Sequence, residues 1–194
     1  MTSSEPSPSV RRQDLLEAAY AYALRSGLGT LSLRPLAEEI HSSPRVLIYL
    51  FGSKDGLLRA LLARARSDEL AQIERIAGLQ DESDEAGLRS AARSLWQWLS
   101  EGAHRGLLTL WAESYAHSLV HPDGPWAGFA RDTVDDWLNL LAACQPTALR
   151  DTEAGAAQRT LALAVLRGAL LDLLATGDVS RTTAAVHLQL ARLE

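Results

Sequence analysis

Lysine is almost absent from this chain. Its 194 residues hold one lysine, Lys54, against 18 arginines, with one cysteine, one methionine and two phenylalanines. The lone Cys144 excludes an intramolecular disulfide and any metal site built on cysteines. That usage suits a reducing compartment, so a cytoplasmic location is expected. No stretch alternates with period two, and no Asn-Gly or Asp-Gly turn joins β-branched runs, which argues against hairpins and sheets. No apolar run reaches membrane-spanning length. The best candidate, "LALAVLRGALLDLLA", is interrupted by Arg167 and Asp172, so no membrane partner is expected. The first nine residues, "MTSSEPSPS", lack the apolar stretch of a signal peptide and read as a disordered tail.

Catalytic signatures are equally scarce. There is no phosphate-binding glycine loop and no Gly-x-Ser-x-Gly elbow. Glu38 and His41 have the spacing of half a di-iron motif, but no second copy exists. Asp132, Asp135 and Asp136 read as the solvated face of a helix rather than paired catalysts. Glu113 and His117, four residues apart, could share a metal, but a surface or pocket pair is the simpler reading. The chain is therefore expected to be neither an enzyme nor a holder of a cofactor or metal.

What is present is a globular composition, 47% hydrophobic and 22% charged, with a net charge of −5. The charge is unevenly placed. Residues 1–66 carry +3 and residues 67–194 carry −8. A basic front and an acidic back is the asymmetry expected when one end meets phosphate, although +3 is small for a nucleic-acid surface. Apolar residues recur with helical period throughout, and the fold class is all-α. The spacing predicts helices over about 10–26, 33–40, 44–51 and 54–77. It predicts further ones over about 86–103, 105–119, 125–143, 148–176 and 179–193, nine in all. On the first, Leu15, Leu16, Ala19, Tyr22 and Ala23 share a face, and Gly27 is placed to end it. Ser32, Ser43 and Ser53 are candidate N-caps of the next three helices. Pro44 sits at a first helical position and Gly52 at a stop.

The segment "LAEEIHSSPRVLIYLFGSK", Leu36 to Lys54, holds a helix too short to bury much, with both ends punctuated. With the preceding helix and the turn "HSS" it has helix-turn-helix spacing. In that motif the second helix enters the major groove. Val46 or Leu47, with Leu50 and Phe51, would hold it to its neighbours. Ser42, Ser43, Arg45, Ile48 and Tyr49 would face outward. The DNA-binding set is Ser32, Arg34, Ser42, Ser43, Arg45, Val46, Tyr49 and Lys54. An exposed arginine there can donate twice to guanine, and Lys54 at a helix N-terminus can hold phosphate. Arg11 and Arg12 are either an arm reaching DNA or the solvated start of the first helix.

These residues carry a family resemblance. "TLSLRPLAEEIHSSPRVLIYLFGSKDGLL" resembles the N-terminal domain of the TetR family of bacterial transcriptional regulators, in the order, spacing and N-terminal position of its motifs. The likeness covers residues 10–60, whereas the back half matches only in helix number and length. Two departures stand out. His41 occupies a turn position where the family usually has glycine, and Ile48 one where many members have tyrosine. The resemblance implies a three-helix DNA-binding domain over 10–56 and a larger helical ligand-binding and dimerisation domain over 57–194. It also implies a repressor that binds a palindromic double-stranded DNA operator as a homodimer through its last two helices. A small apolar or aromatic effector would release it. The alternatives are an all-α small-molecule-binding or catalytic protein whose front helices are structural, and a helical adaptor with no ligand.

All five tryptophans lie beyond residue 80. Trp96 and Trp98 are two apart, so on a helix they point about 200° apart, and one is expected to face a cavity, a subunit interface or solvent. Trp111, Ser114, Tyr115, Trp126, Phe129 and Trp137 follow on the next helices. Together with Arg167 these residues form the candidate ligand pocket. Core packing is the default for any one of them.

Overall fold

The computed structural model describes residues 8–80 and 87–193. Residues 1–7 of the expected tail and the acidic connection at 81–86 lie outside the described residues. Among those described there are ten α-helices and no strand. They are α1 (Pro8–Ser26), α2 (Leu33–Glu39), α3 (Pro44–Phe51), α4 (Lys54–Gln80), α5 (Leu88–Ser100), α6 (Arg105–Val120), α7 (Phe129–Ala143), α8 (Thr147–Arg150), α9 (Glu153–Thr176) and α10 (Val179–Leu190). Short 3-10 turns occupy Gly102–His104 and Gly124–Trp126.

The chain divides into two compact units. One holds the residues through Ser67 together with Thr109–Ala130; the other holds Asp68–Leu108 and Arg131–Glu194. The first unit therefore takes in most of α6, far along the chain from the 10–56 domain expected. Its core is built from one face of each helix. Leu16, Ala19, Tyr20 and Ala23 of α1 are buried with Leu36, Ala37, Leu47, Phe51, Leu57, Leu58, Leu61 and Leu62. The α1 face is centred on Tyr20 rather than Tyr22, which is half-buried. The Arg64 guanidinium lies 4.8 Å over the Tyr20 ring, and Arg64 Nε donates to Glu17 at 2.9 Å. That ion pair ties α4 to α1.

Helix ends follow local chemistry. Gly27, at φ 77°, closes α1 with its amide on the Ala23 carbonyl. Ser43 Oγ accepts from the Val46 amide at 3.2 Å, Pro44 follows at the first helical position, and Gly52 stops α3 at φ 81°. Ser53 Oγ accepts from the Gly56 amide at 2.9 Å and opens α4. Ser32 stands at the N-cap position of α2 but makes no side-chain cap. The α2 terminus closes with two bonds: the His41 amide donates to Glu38 O and the Ser42 amide to Ala37 O. This paired pattern puts the first of the two donors in the left-handed region. His41 sits there at φ 52° and is the one non-glycine residue with positive φ among those described. A side chain in that region costs roughly 1–2 kcal/mol, partly offset by the extra entropy a glycine loses on folding. His41→Gly is expected to stabilise the protein by about 0.5–1 kcal/mol, a melting-temperature rise of about 1–4 °C in a chain of this size. A lower melting temperature would show that the imidazole makes a contact worth more than the strain.

Two predicted helices are interrupted. The long one over 148–176 splits into α8 and α9. Thr152 Oγ1 accepts from the Gly155 amide at 3.0 Å and donates to Leu149 O at 2.7 Å, which caps α9 and ends α8 in one residue. Arg150 turns back onto the last carbonyls of α7, at Ala142 and Ala143. The stretch 125–143 begins as a 3-10 turn, and α7 starts only at Phe129, where Ser118 Oγ accepts from the Ala130 amide. In the second unit α5, α9 and α10 pack together around Leu95, Trp96, Leu166, Leu170, Val186 and Leu190. Arg181 donates to both oxygens of Asp172 across the α9–α10 corner. Those hydrogen bonds hold the Asp172 carboxyl below the usual carboxylate range.

Candidate nucleic-acid interface

The front helices set one short helix on the surface of their unit. Leu47 of α3 is fully buried and Phe51 nearly so, and these two anchor it, while Val46 and Leu50 are only half-buried. The opposite side is left open. Tyr49 is 80% exposed, Ile48 38%, and Arg45 on the first turn is exposed as well. Arg45, Ile48 and Tyr49 thus share the open side of α3. The Tyr49 hydroxyl and face are free for another molecule.

An open groove of about 780 Å³ runs beside α3, lined in part by Gly29, Thr30, Ser32, Arg34, Pro44 and Lys54. Three residues of the expected DNA-binding set, Ser32, Arg34 and Lys54, thus meet at one surface although they lie on two helices. Because Ser32 makes no cap, its hydroxyl is not engaged by α2. Lys54 is exposed at the first residue of α4. Cations and polar donors of this kind are the groups that hold phosphate oxygens.

Other residues singled out in the sequence are placed as follows. Ser42 does not face outward: its Oγ is buried and makes no hydrogen bond within the chain. Ser43 contributes its oxygen to the α3 cap, which orients the helix. Arg12 is not a free arm. Its Nε donates to Leu50 O at 3.3 Å and its guanidinium lies 4.9 Å over the Phe51 ring, so it fastens α1 to the end of α3. Arg11 is exposed on α1.

The nine residues of the expected ligand pocket fall into both units. Trp111, Ser114, Tyr115, Trp126 and Phe129 belong to the first, Trp96, Trp98, Trp137 and Arg167 to the second. Trp111 and Tyr115 are in ring contact at 5.2 Å, and Trp126 stacks on His117 at 4.7 Å. Ser114 is fully buried and donates to the Leu110 carbonyl one turn back. Trp96 Nε1 donates to Thr183 Oγ1 at 3.0 Å. Of the cavity, interface and solvent expected for one of the pair, solvent does not apply: Trp96 and Trp98 are both buried. The 3-10 turn after α5 brings His104 onto the Trp98 ring at 4.4 Å and covers it. Trp137 Nε1 donates to Glu69 Oε1 at 2.7 Å, and Glu69 is 8% exposed. Sequence reasoning missed Glu69. It falls on the α4 stripe with Leu58, Leu62 and Ala65, at spacings that put all four on one face, and that period was the available signal.

Glu113, singled out in the sequence for its spacing from His117, takes a different role. Its carboxylate does not point to a ligand or pair with a metal. Oε2 accepts from the Leu28 amide at 2.7 Å and Oε1 from the Gly29 amide at 2.8 Å, in the turn between α1 and α2. Among the described residues no group of three His, Cys, Asp or Glu could hold a metal ion.

No protein-family model matches the chain, and no curated protein matches it by sequence. Solved structures do resemble it along nearly its whole length. The multidrug binding protein EbrR, in complex with proflavin, is 27% identical, with 95% of this chain and 99% of that one covered at a TM-score of 0.67. A transcriptional regulator from Rhodococcus sp. Rha1 is 19% identical over 97% and 96%, at 0.71. A TetR-family regulator from Agrobacterium tumefaciens is 19% identical over 96% and 98%, at 0.66.

Proposed function

We propose that this chain, which has the fold of the TetR family of transcriptional regulators, represses transcription as a homodimer on a palindromic operator and lets go when a small apolar or aromatic ligand binds. The observation that carries the proposal is the open side of α3. A helix of eight residues, capped at both ends, holds on by Leu47 and Phe51 and offers Arg45 and Tyr49 outward, beside a groove bearing Ser32, Arg34 and Lys54.

Support for a homodimer comes from α9. Ala157, Leu161, Ala164, Gly168, Leu171 and Ala175 are all exposed and recur at alternating spacings of four and three residues. That is the seam of a helix awaiting another helix. A two-fold pairing there would match two half-sites on DNA. Support for an aromatic effector is twofold: the concentration of tryptophans on α5, α6 and α7, and the likeness to EbrR, whose structure was solved with proflavin. Residues 57–194 would form the ligand-binding and dimerisation portion.

The test begins with selection of a duplex from a random-sequence DNA pool by the full-length protein. Enrichment of a site with two inverted half-sites about one helical turn apart is expected. Proflavin, the probe, is then expected to quench tryptophan emission and to weaken that complex by about 5- to 150-fold, the range of ordinary allosteric coupling. A pool that never enriches a site sinks DNA binding. Quenching with undiminished DNA affinity sinks the release.

A further inference from the structure

The Glu113 carboxylate joins parts of the chain 85 and 84 residues apart, and no feature of the proposed function uses it yet. Both oxygens are engaged, each by a successive backbone amide of the turn that leads into α2. The approach is close. A Cβ on Gly27 would lie 2.9 Å from Glu113 Oε2, and one on Gly29 would lie 2.6 Å from both Glu113 Oε1 and His117 Nε2. Glycine at both positions is what lets α6 reach the backbone. Around the clasp the structure is firm. Leu28 and Leu31 of the turn are buried, and so are Trp111, Ser114 and Ser118 of α6. Only four residues, Leu28 to Leu31, lie between Gly27 and the N-cap position of α2 at Ser32. Gly29 itself lines the groove that bears Ser32, Arg34 and Lys54. One residue therefore has its amide held by α6 and its backbone in the wall of the DNA-facing surface.

We propose that Glu113 is the positioning residue that couples α6 to the DNA-reading helices, by holding the Leu28 and Gly29 amides so that α6 and the wall of the groove move as one. The proposal rests on the DNA-binding reading above. A shift of α6 along or about its axis displaces the carboxylate, and two short charge-assisted hydrogen bonds carry that displacement into the turn before α2. Coupling is reciprocal, so DNA seated in the groove must in turn restrain α6.

The experiment is hydrogen exchange on the full-length protein, with and without a duplex selected from the random pool. The variants are Glu113→Gln and Gly29→Ala. Glutamine keeps the shape but sets an NH₂ group against one of the two amides. Alanine at 29 expels the carboxylate from the other side, and only flexible side-chain ends must move. In the free wild-type protein the Leu28 and Gly29 amides are expected to exchange about ten- to a hundredfold more slowly than in either variant, as for hydrogen bonds to a charged group. In the wild type, added duplex is expected to slow exchange across residues 109–120 as well as across α2 and α3. In both variants the slowing is expected to persist in α2 and α3 and to vanish in α6. A merely stabilising Glu113 would give variants of lower overall stability whose α6 still responds to DNA, and that result overturns the proposal. Equal Leu28 and Gly29 exchange in wild type and variants overturns it too. A wild-type protein that selects no duplex overturns the DNA-binding reading and the coupling with it, and the exchange of the free protein tells these failures apart.

Discussion

Leu161→Glu combined with Leu171→Glu is expected to give a folded monomer that binds an operator only with the affinity of a single half-site. The two side chains are 45% and 53% exposed in the protomer, so each contributes little to its own core. Surface substitutions of this kind usually shift stability by no more than about 0.5 kcal/mol. Across a two-fold interface the same residues count twice. Four leucines leave an apolar seam, at about 1.5–3 kcal/mol for each side chain fully buried, and four carboxylates take their place near the axis. The dissociation constant of the dimer should rise by on the order of a thousandfold or more, at roughly 1.4 kcal/mol per factor of ten. Gly168 sharpens the expectation. A Cβ there would meet nothing within 4 Å, so nothing in the protomer requires a glycine, whereas two helices crossing closely at that point would. Sedimentation should report half the wild-type mass with unchanged helical circular dichroism. DNA affinity should fall to that of a single half-site. A double variant that stays dimeric would move the interface away from α9. A monomer with full operator affinity would break the link between two-fold symmetry and DNA reading.

How legible all this was in the sequence depended on how far apart the interacting residues lie. The front helices could be read because each end is set by a residue acting within four positions of itself: Ser43 on Val46, Ser53 on Gly56, Gly27 on Ala23. The left-handed turn at His41 was signalled only by the resemblance to a family that usually has glycine at that position. Burial was read less well. Choosing Tyr22 over Tyr20 missed by less than one helical turn, because a tyrosine at either position suits an amphipathic pattern, and the Arg64 guanidinium that lies over Tyr20 comes from another helix. The break at Thr152 was hidden because threonine followed by Glu-Ala-Gly-Ala-Ala can be either helix interior or cap. The contact that settles it is a carbonyl three residues back. The cover over Trp98 was not legible, because periodicity says which way a side chain leaves its helix, not what the next turn will fold over it. Glu113 lay beyond any local rule. Nothing in the sequence near residue 113 marks a partner 85 positions away, and the glycines at 27 and 29 read as an ordinary turn. The candidate interface was therefore legible where it is made of local punctuation, and the clasp that positions it was not.

Arg45 and Lys54 are expected to fail in different ways when each is replaced by alanine. Both are exposed and carry one positive charge, so a purely electrostatic surface would treat them alike. Their positions differ. Arg45 is the second residue of α3, where a side chain in the major groove reaches base edges, and a guanidinium can donate two parallel hydrogen bonds to guanine O6 and N7. Arg45→Ala should cost about 1–3 kcal/mol in each half-site and relax preference at one base pair, leaving the other positions as selective as before. Lys54 lines the groove at the start of α4, beside Ser32 and Arg34, and has no base edge to read. An ammonium there neutralises phosphate and releases counterions. Lys54→Ala should therefore weaken all duplexes by a similar factor and lower the slope of log affinity against log salt by about one per half-site. Ser43 offers no comparable test, since removing its oxygen also removes the α3 cap. The measurement is a titration of each variant against the selected site and its single-base variants at several salt concentrations. Equal losses from both substitutions, with unchanged base preference, would mean that α3 does not lie in the groove, and that this surface recognises DNA by charge alone.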